Sequence, residues 1–185
     1  MADRERLFFA LWPDAAVRQS LLAVQNQFLP PRTRRVHAED LHLTLAFLGE
    51  LDADGRRRAE QAAGRARGSA FDLSLDRVDF WRRPQVFLAG AAVAPAALLE
   101  LVAVLGQGLA EEGFELERRP FNPHVTLARR LHEAPSQELT VPLAWPVRDW
   151  VLVRSQVAGP APHYQVLRRW PLAESASPAG SQPPP

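Results

Sequence analysis

The chain contains one short pattern twice: His42-Leu43-Thr44-Leu45-Ala46 and His124-Val125-Thr126-Leu127-Ala128 agree at four of five positions and lie 82 residues apart. Each copy alternates polar and apolar side chains, the period of a strand with one buried face. His and Thr at i and i+2 therefore share one side while Leu or Val points to the other. Brought side by side, two such strands offer two imidazoles and two hydroxyls to a common space.

That is equipment for proton transfer at a phosphate. An unperturbed imidazole titrates near ~6.5, so one His can take a proton from an attacking oxygen while the other gives one to a departing oxygen. The hydroxyls of Thr44 and Thr126 are suited to donate to non-bridging oxygens, and a nearby guanidinium to offset their charge. By simple alternation Ala46 and Ala128 lie on the same faces and leave room for a ligand. A single His-x-Thr would be read as a structural histidine; duplication at matched places marks these two as candidate catalysts. A metal site is the weaker reading, because neither copy brings a carboxylate or Cys at ligand spacing.

The 185 residues, 46% of them hydrophobic, suffice for one domain or two closely packed lobes. The net charge of +1 advertises no global field for nucleic acid. All 22 basic residues are Arg, many in runs such as Arg34-Arg35, Arg56-Arg57-Arg58 and Arg129-Arg130. Most of these read as solvated surface; Arg129-Arg130 alone adjoins a motif, and the planar guanidinium suits phosphate. The absence of Cys removes disulfides and thiolate chemistry and fits a reducing compartment. No apolar run is long enough to span a membrane, and the mixed charges of Met1 to Arg6 are unlike a secretory signal, so a cytoplasmic protein without a membrane partner is expected.

Apolar spacing predicts a strand over Leu7–Leu11 and a helix over Ala15–Phe28, started by Pro13-Asp14 and stopped by Pro30-Pro31. The first motif strand follows, ended by Gly49, then an arginine-rich helix over Asp52–Arg67 and a strand over Phe71–Phe80. The second half repeats the order: a strand over Gln85–Ala89, a helix over Ala96–Glu111 carrying Leu98, Leu99, Val102, Leu105 and Leu109, a stop at Gly113, a strand leading to Asn122-Pro123, the second motif strand, and a late strand over Trp150–Val157. Each half would thus give one motif strand to a cleft on a pseudo-twofold axis. Residues 1–173 are expected to form one bilobal domain, and the Ser, Ala and Pro tail at 174–185 to be disordered. His37, His132 and His163 fall in expected loops and are read as surface residues, His163 beside a Tyr164 that could rim the cleft.

Three stretches together, Arg6-Leu7-Phe8-Phe9-Ala10-Leu11, His42 to Gly49 and Pro123 to Arg129, resemble the two-histidine (2H) phosphoesterases. More narrowly they are similar to bacterial and archaeal RNA 2′,3′-cyclic phosphodiesterases, also called 2′-5′ RNA ligases or LigT-like proteins. The resemblance runs from about Arg6 to Leu172. It implies an α+β, bilobal, duplicated fold, with antiparallel sheets flanking a central cleft and helices outside, and no metal or other cofactor. It implies His42 as proton donor to the leaving ribose oxygen and His124 as the acceptor that activates water, opening a terminal 2′,3′-cyclic phosphate to a 2′-phosphate. The same chemistry, with a hydroxyl in place of water and a reversible equilibrium, would join RNA ends through a 2′-5′ linkage.

The resemblance also assigns Thr44, Thr126 and Arg129 to the phosphate and Phe8 to stacking on a base, with a core residue as the other reading of Phe8. Regular alternation disagrees about the arginine: Arg130, not Arg129, shares the face of His124 and Thr126, so Arg129 needs a twist or bulge to reach the cleft. RNA ending in a cyclic phosphate is the expected partner, with no protein partner and nothing that demands more than a monomer. Two other readings stand beside this one. The chain could hold RNA ends or nucleotides without turning them over, or act on another cyclic nucleotide or a 2′-5′ oligonucleotide, a choice that rests on the segments around Arg32–Arg35 and Pro160–Tyr164.

Overall fold

In the computed structural model, residues 4–117, 119–156 and 159–174 are described; all but Glu174 of the expected tail, and the last residue of the expected Trp150–Val157 strand, lie outside them. The chain opens with β1 (Glu5–Leu11), whose continuous apolar run is explained by burial on both faces. Leu7, Phe9 and Leu11 enter the main core, while Phe8 and Ala10 join Val151 and Val153 in a second, small cluster. Helix α1 (Ala15–Phe28) begins where Asp14 accepts from the Val17 N–H at 2.9 Å, and buries Val17, Leu21, Val24 and Gln25.

The first motif strand is β2 (Leu43–Leu51), with His42 immediately before it. Gly49 does not end the strand. It sits at φ +75 where Leu7 pairs with Gly49 and Phe8 with Phe47, so Leu48 is an extra residue in a bulge that a glycine accommodates. Helix α2 (Ala53–Arg65), capped by Asp52, turns Ala59, Ala62 and Ala63 inward against α3 (Ala96–Glu111), so its arginines face outward. On α3 the inner row is Leu98, Leu101, Leu105 and Leu109; Leu101 takes the place expected of Leu99, which is 45% exposed. Gly113 ends this helix at φ +82, with its N–H on the Ala110 carbonyl and that of Phe114 on the Leu109 carbonyl, a paired closure that satisfies two of the last carbonyls.

The remaining strands are β3 (Phe71–Trp81), β4 (Val86–Gly90), β5 (His124–Arg129), β6 (Gln137–Val147), β7 (Asp149–Ser155) and β8 (Tyr164–Pro171). Between Gly113 and Asn122 there is no strand among the described residues; Leu116 and Phe121 pack on the core from an irregular segment that Pro120 and Pro123 keep out of a ladder. Strands β6 and β8, absent from the expected elements, form the two outer edges, where Pro142, Pro146 and Pro171 are tolerated and a one-sided apolar pattern is weak.

All eight strands belong to one sheet, in the order β6-β3-β4-β5-β2-β1-β7-β8, with every named pair antiparallel. The two motif strands meet at its centre through one pairing, Leu43 with Val125, which are equivalent positions of the repeat. Four strands therefore lie on each side of a local twofold axis. The lobes do not follow the chain halves: β3 pairs with β4, and β7 fills the side of β1. The short Arg82–Gln85 turn makes β3 and β4 a local hairpin, which leaves the edge of β1 to a strand from later in the chain. Among the described residues no helix is long and apolar enough to cross a membrane.

Candidate active site

Leu43, Leu45, Val125 and Leu127 are buried in the main core, whereas His42, Thr44, His124 and Thr126 are half-buried on the other side of the central strands. Continuing the antiparallel pairing one step either way from Leu43–Val125 sets His42 across from Thr126 and Thr44 across from His124. Each imidazole thus faces the hydroxyl of the other copy.

Both rings are fixed the same way. His42 Nδ1 lies 2.6 Å from the Asp40 carbonyl oxygen, and His124 Nδ1 lies 2.8 Å from that of Asn122. A carbonyl only accepts, so each Nδ1 carries hydrogen and donates, leaving Nε2 as the nitrogen available to a ligand. Around His42 the walls are aromatic: Phe8 at 4.9 Å between ring centroids, Trp12 stacked at 5.7 Å and Tyr164 edge-on at 5.0 Å. Trp81 approaches His124 to 4.6 Å.

This burial pushes the His42 pKa down to about 4, its removal from water being the largest cause and the Arg129 guanidinium adding to it; the Asp40 carbonyl and carboxylate act the other way. His124 is also lowered, again chiefly by burial and then by Arg129, against the opposing hydrogen bond to Asn122. At neutral pH both imidazoles of the free protein are uncharged.

Matching irregularities follow the two motifs. On β2, Thr44 pairs with Ala10 and Ala46 with Phe9, leaving Leu45 as an extra residue; on β5, Thr126 pairs with Leu88 and Ala128 with Phe87, leaving Leu127 as one. The second bulge answers the conflict over the arginines. It reverses the alternation after Thr126, so Arg129 rather than Arg130 comes to the side of the imidazoles, near enough to depress both. Arg130 follows the strand at φ +61, with its N–H on the Gln85 carbonyl and its side chain exposed. The same bulge turns Ala128 into the core, fully buried, so it does not open space for a ligand; Ala46 does line the cleft.

Of the two readings of Phe8, the structure has the core residue. At 2% exposure it is a floor beneath His42 and Tyr164 and has no free face for a base. The exposed aromatic is Phe47, at the position of the first motif equivalent to Arg129 in the second. It is 47% exposed, stacked on Phe8 at 6.3 Å and covered on one side by Arg6. With Thr44, Ala46, Trp81, Phe121 and His124 it lines a cleft of about 460 Å³.

The residue most hidden from the sequence is Asp40. Its carboxylate is buried and accepts from the His163 N–H at 2.8 Å, the Tyr164 N–H at 3.1 Å and His163 Nδ1 at 3.0 Å, while its own carbonyl holds His42. One residue thus ties the first imidazole to the start of β8 and to the Tyr164 wall. Among the described residues, no three His, Cys, Asp or Glu side chains gather as ligands to a metal would.

Residues 12–158 match the model of the 2′-5′ RNA ligase superfamily. The RNA 2′,3′-cyclic phosphodiesterase of Escherichia coli K12 is 35% identical over 180 residues, covering 94% of this chain and all of that protein. The protein of the same name from Thermus thermophilus is 34% identical, covering 90% of each. The crystal structure of E. coli LigT complexed with 3′-AMP superposes with a TM-score of 0.84 over 92% of this chain and 99% of that one, at 35% identity. Two matched histidine strands at the centre of one sheet, and a family match that spans both of them, have a single explanation: the chain belongs to the 2′-5′ RNA ligase superfamily, the two-histidine phosphoesterases.

Proposed function

We propose that this chain is an RNA 2′,3′-cyclic phosphodiesterase that opens terminal cyclic phosphates to 2′-phosphates through His42 and His124. The observation behind the reading is the pair of imidazoles fixed alike through Nδ1, each with Nε2 available and each across from a threonine of the other copy. In this mechanism His124 Nε2 takes a proton from water as its oxygen bonds to phosphorus. The bond from phosphorus to the ribose 3′-oxygen breaks, and His42 Nε2 gives that oxygen a proton. The product carries a 2′-phosphate and a free 3′-hydroxyl, and the two histidines have exchanged protonation states. Thr44 and Thr126 donate to the non-bridging oxygens, Arg129 offsets their charge, and Tyr164 bounds the site.

His42 must enter the reaction protonated, although its pKa in the free protein is about 4. An anionic phosphate brought against the ring favours the charged form and raises that value, so substrate itself readies the acid. With a 5′-hydroxyl in place of water the same ring opening forms a 2′-5′ phosphodiester, again releasing the 3′-oxygen, and this ligation is reversible. The same reading takes the enzyme as cytoplasmic and monomeric, with RNA ends as its partner and no cofactor; cell fractionation and sedimentation would check the first two.

The test is incubation of metal-free protein with a short RNA ending in a 2′,3′-cyclic phosphate, resolving 2′- from 3′-phosphate. A 2′-phosphate product, lost in His42→Ala and in His124→Ala, is expected. Binding without opening would replace this reading with a non-catalytic RNA-end module.

A further inference from the structure

Beside the cleft, on the His42 side, lies a second cavity of about 640 Å³. Its wall is built where the segment after α1 runs along the end of β5. Arg35 bridges antiparallel to Ala128, the Val36 N–H reaches the Leu127 carbonyl at 2.8 Å, and the Arg129 N–H points to the Arg34 carbonyl at 3.4 Å. One step from the Arg35–Ala128 pairing, Arg34 and Arg129 stand directly opposite each other; both are exposed and both line the cavity.

Like charges facing each other across adjacent strands repel, and an anion between them removes the repulsion. Among the described residues neither guanidinium has a hydrogen-bond or ion-pair partner. The neighbouring Arg35 is different: it is tied to the Leu29 carbonyl at 2.7 Å and to Asn26, and serves as a strut against the end of α1. The carboxylate that lines the cavity, Asp40, already accepts from the His163 and Tyr164 N–H groups and from His163 Nδ1, so it does not neutralise the pair. Arg129 is shared, lowering the pKa of both histidines on one side and lining this cavity on the other.

We propose that Arg34 and Arg129 form a second phosphate subsite, which takes the internucleotide phosphodiester on the 5′ side of the nucleotide whose cyclic phosphate is opened. This rests on the cyclic phosphodiesterase reading and narrows its substrate class to oligonucleotides, with mononucleotides disfavoured. A chain leaving the cleft over Arg129 meets Arg34 next, so the first guanidinium is common to both phosphates and the second reports only on the upstream one.

The experiment compares a 2′,3′-cyclic mononucleotide with a dinucleotide ending in the same cyclic phosphate, using wild type, Arg34→Ala and Arg34→Glu at 50 and 200 mM salt. The wild type is expected to prefer the dinucleotide. Arg34→Ala should reduce kcat/KM for the dinucleotide about tenfold more than for the mononucleotide and lower the power of the salt dependence by about one; Arg34→Glu should do more. Equal losses on the two substrates, or none on either, overturn the proposal. Binding of a dinucleotide bearing a terminal 2′-phosphate separates it from the parent reading. If wild type hydrolyses neither substrate yet Arg34→Ala still weakens this binding about tenfold, the subsite stands and the catalytic reading falls. If binding is also unaffected, the subsite falls with it.

Discussion

His42 and His124 hang from the same kind of anchor, a carbonyl two residues earlier, yet they stand in different surroundings. His42 is enclosed by Phe8, Trp12 and Tyr164 and its pKa falls to about 4, while His124 meets Trp81 at the side of an open cleft. At the next equivalent place, after matching bulges, the first copy offers Phe47 and the second offers Arg129. Duplication therefore supplies two interchangeable frames, and the side chains packed around each frame make one histidine unlike the other. The reaction uses the two rings in opposite protonation states, and bound phosphate must offset the enclosure of His42 for it to serve as the acid.

The largest effects come from breaking the pair itself. His42→Ala and His124→Ala should each lower kcat about 10²–10⁴-fold on a cyclic-phosphate RNA, the usual worth of a general acid or base. A phosphodiester with a nitrophenolate leaving group distinguishes them, because such a group departs without protonation. His42→Ala should recover most of its rate on that substrate and His124→Ala should not; the opposite result would exchange the two roles. Because both pKa values lie below 6.5 in the free protein, kcat/KM should peak at a pH below 6.5. The kcat profile should peak higher, since bound phosphate raises both values.

Removing the shared cation comes next. Arg129→Ala should cost about a hundredfold in kcat/KM, as expected for a charged donor at a developing oxyanion. It also takes away a positive charge that holds both histidines down, so both limbs of the pH profile should move to higher pH. A rate loss without that movement would mean that Arg129 acts only on substrate. Phe47→Ala, at the equivalent place in the other copy, should weaken RNA binding by about 1–3 kcal/mol if a base rests on it, with both pH limbs left in place.

The sequence contained the frame more fully than its surroundings. Helix bounds at Ala15, Phe28, Ala96 and Glu111 could be read because Asp14, Pro30-Pro31, Pro95 and Gly113 mark ends locally, and the histidines because they recur. The bulges could not be read: Leu45 and Leu127 conform to simple alternation, and only pairing with β1 and β4 reveals them as extra residues. Phe8 and Phe47 look alike in a string of letters; burial separates them, and Phe8 is covered because β7 and β8 close over it from the far end of the chain. Strands β6 and β8 were obscured by edge prolines and weak patterning. Asp40 was invisible as an anchor because its partners lie 123 and 124 residues away.

The smallest effects concern how each anchoring carbonyl is held. On the first copy the carbonyl belongs to Asp40, in a 3₁₀ turn whose position depends on a buried carboxylate bound to β8. Asp40→Asn keeps the carbonyl and the shape but gives up a charged acceptor for three donors. It should lower kcat about tenfold while changing KM less, and it should move the limb governed by His42 to lower pH, because the carboxylate favours the charged ring. On the second copy the carbonyl belongs to Asn122, whose side chain is exposed and which precedes a buried Pro123. A residue before proline is biased to an extended backbone, so the ring of Pro123 aims this carbonyl with no help from the Asn122 amide. Asn122→Ala should therefore change kcat less than about twofold and leave the pH profile alone. A loss as large as that of Asp40→Asn would mean that the Asn122 side chain touches substrate, and the two anchors would then differ in function as well as in support.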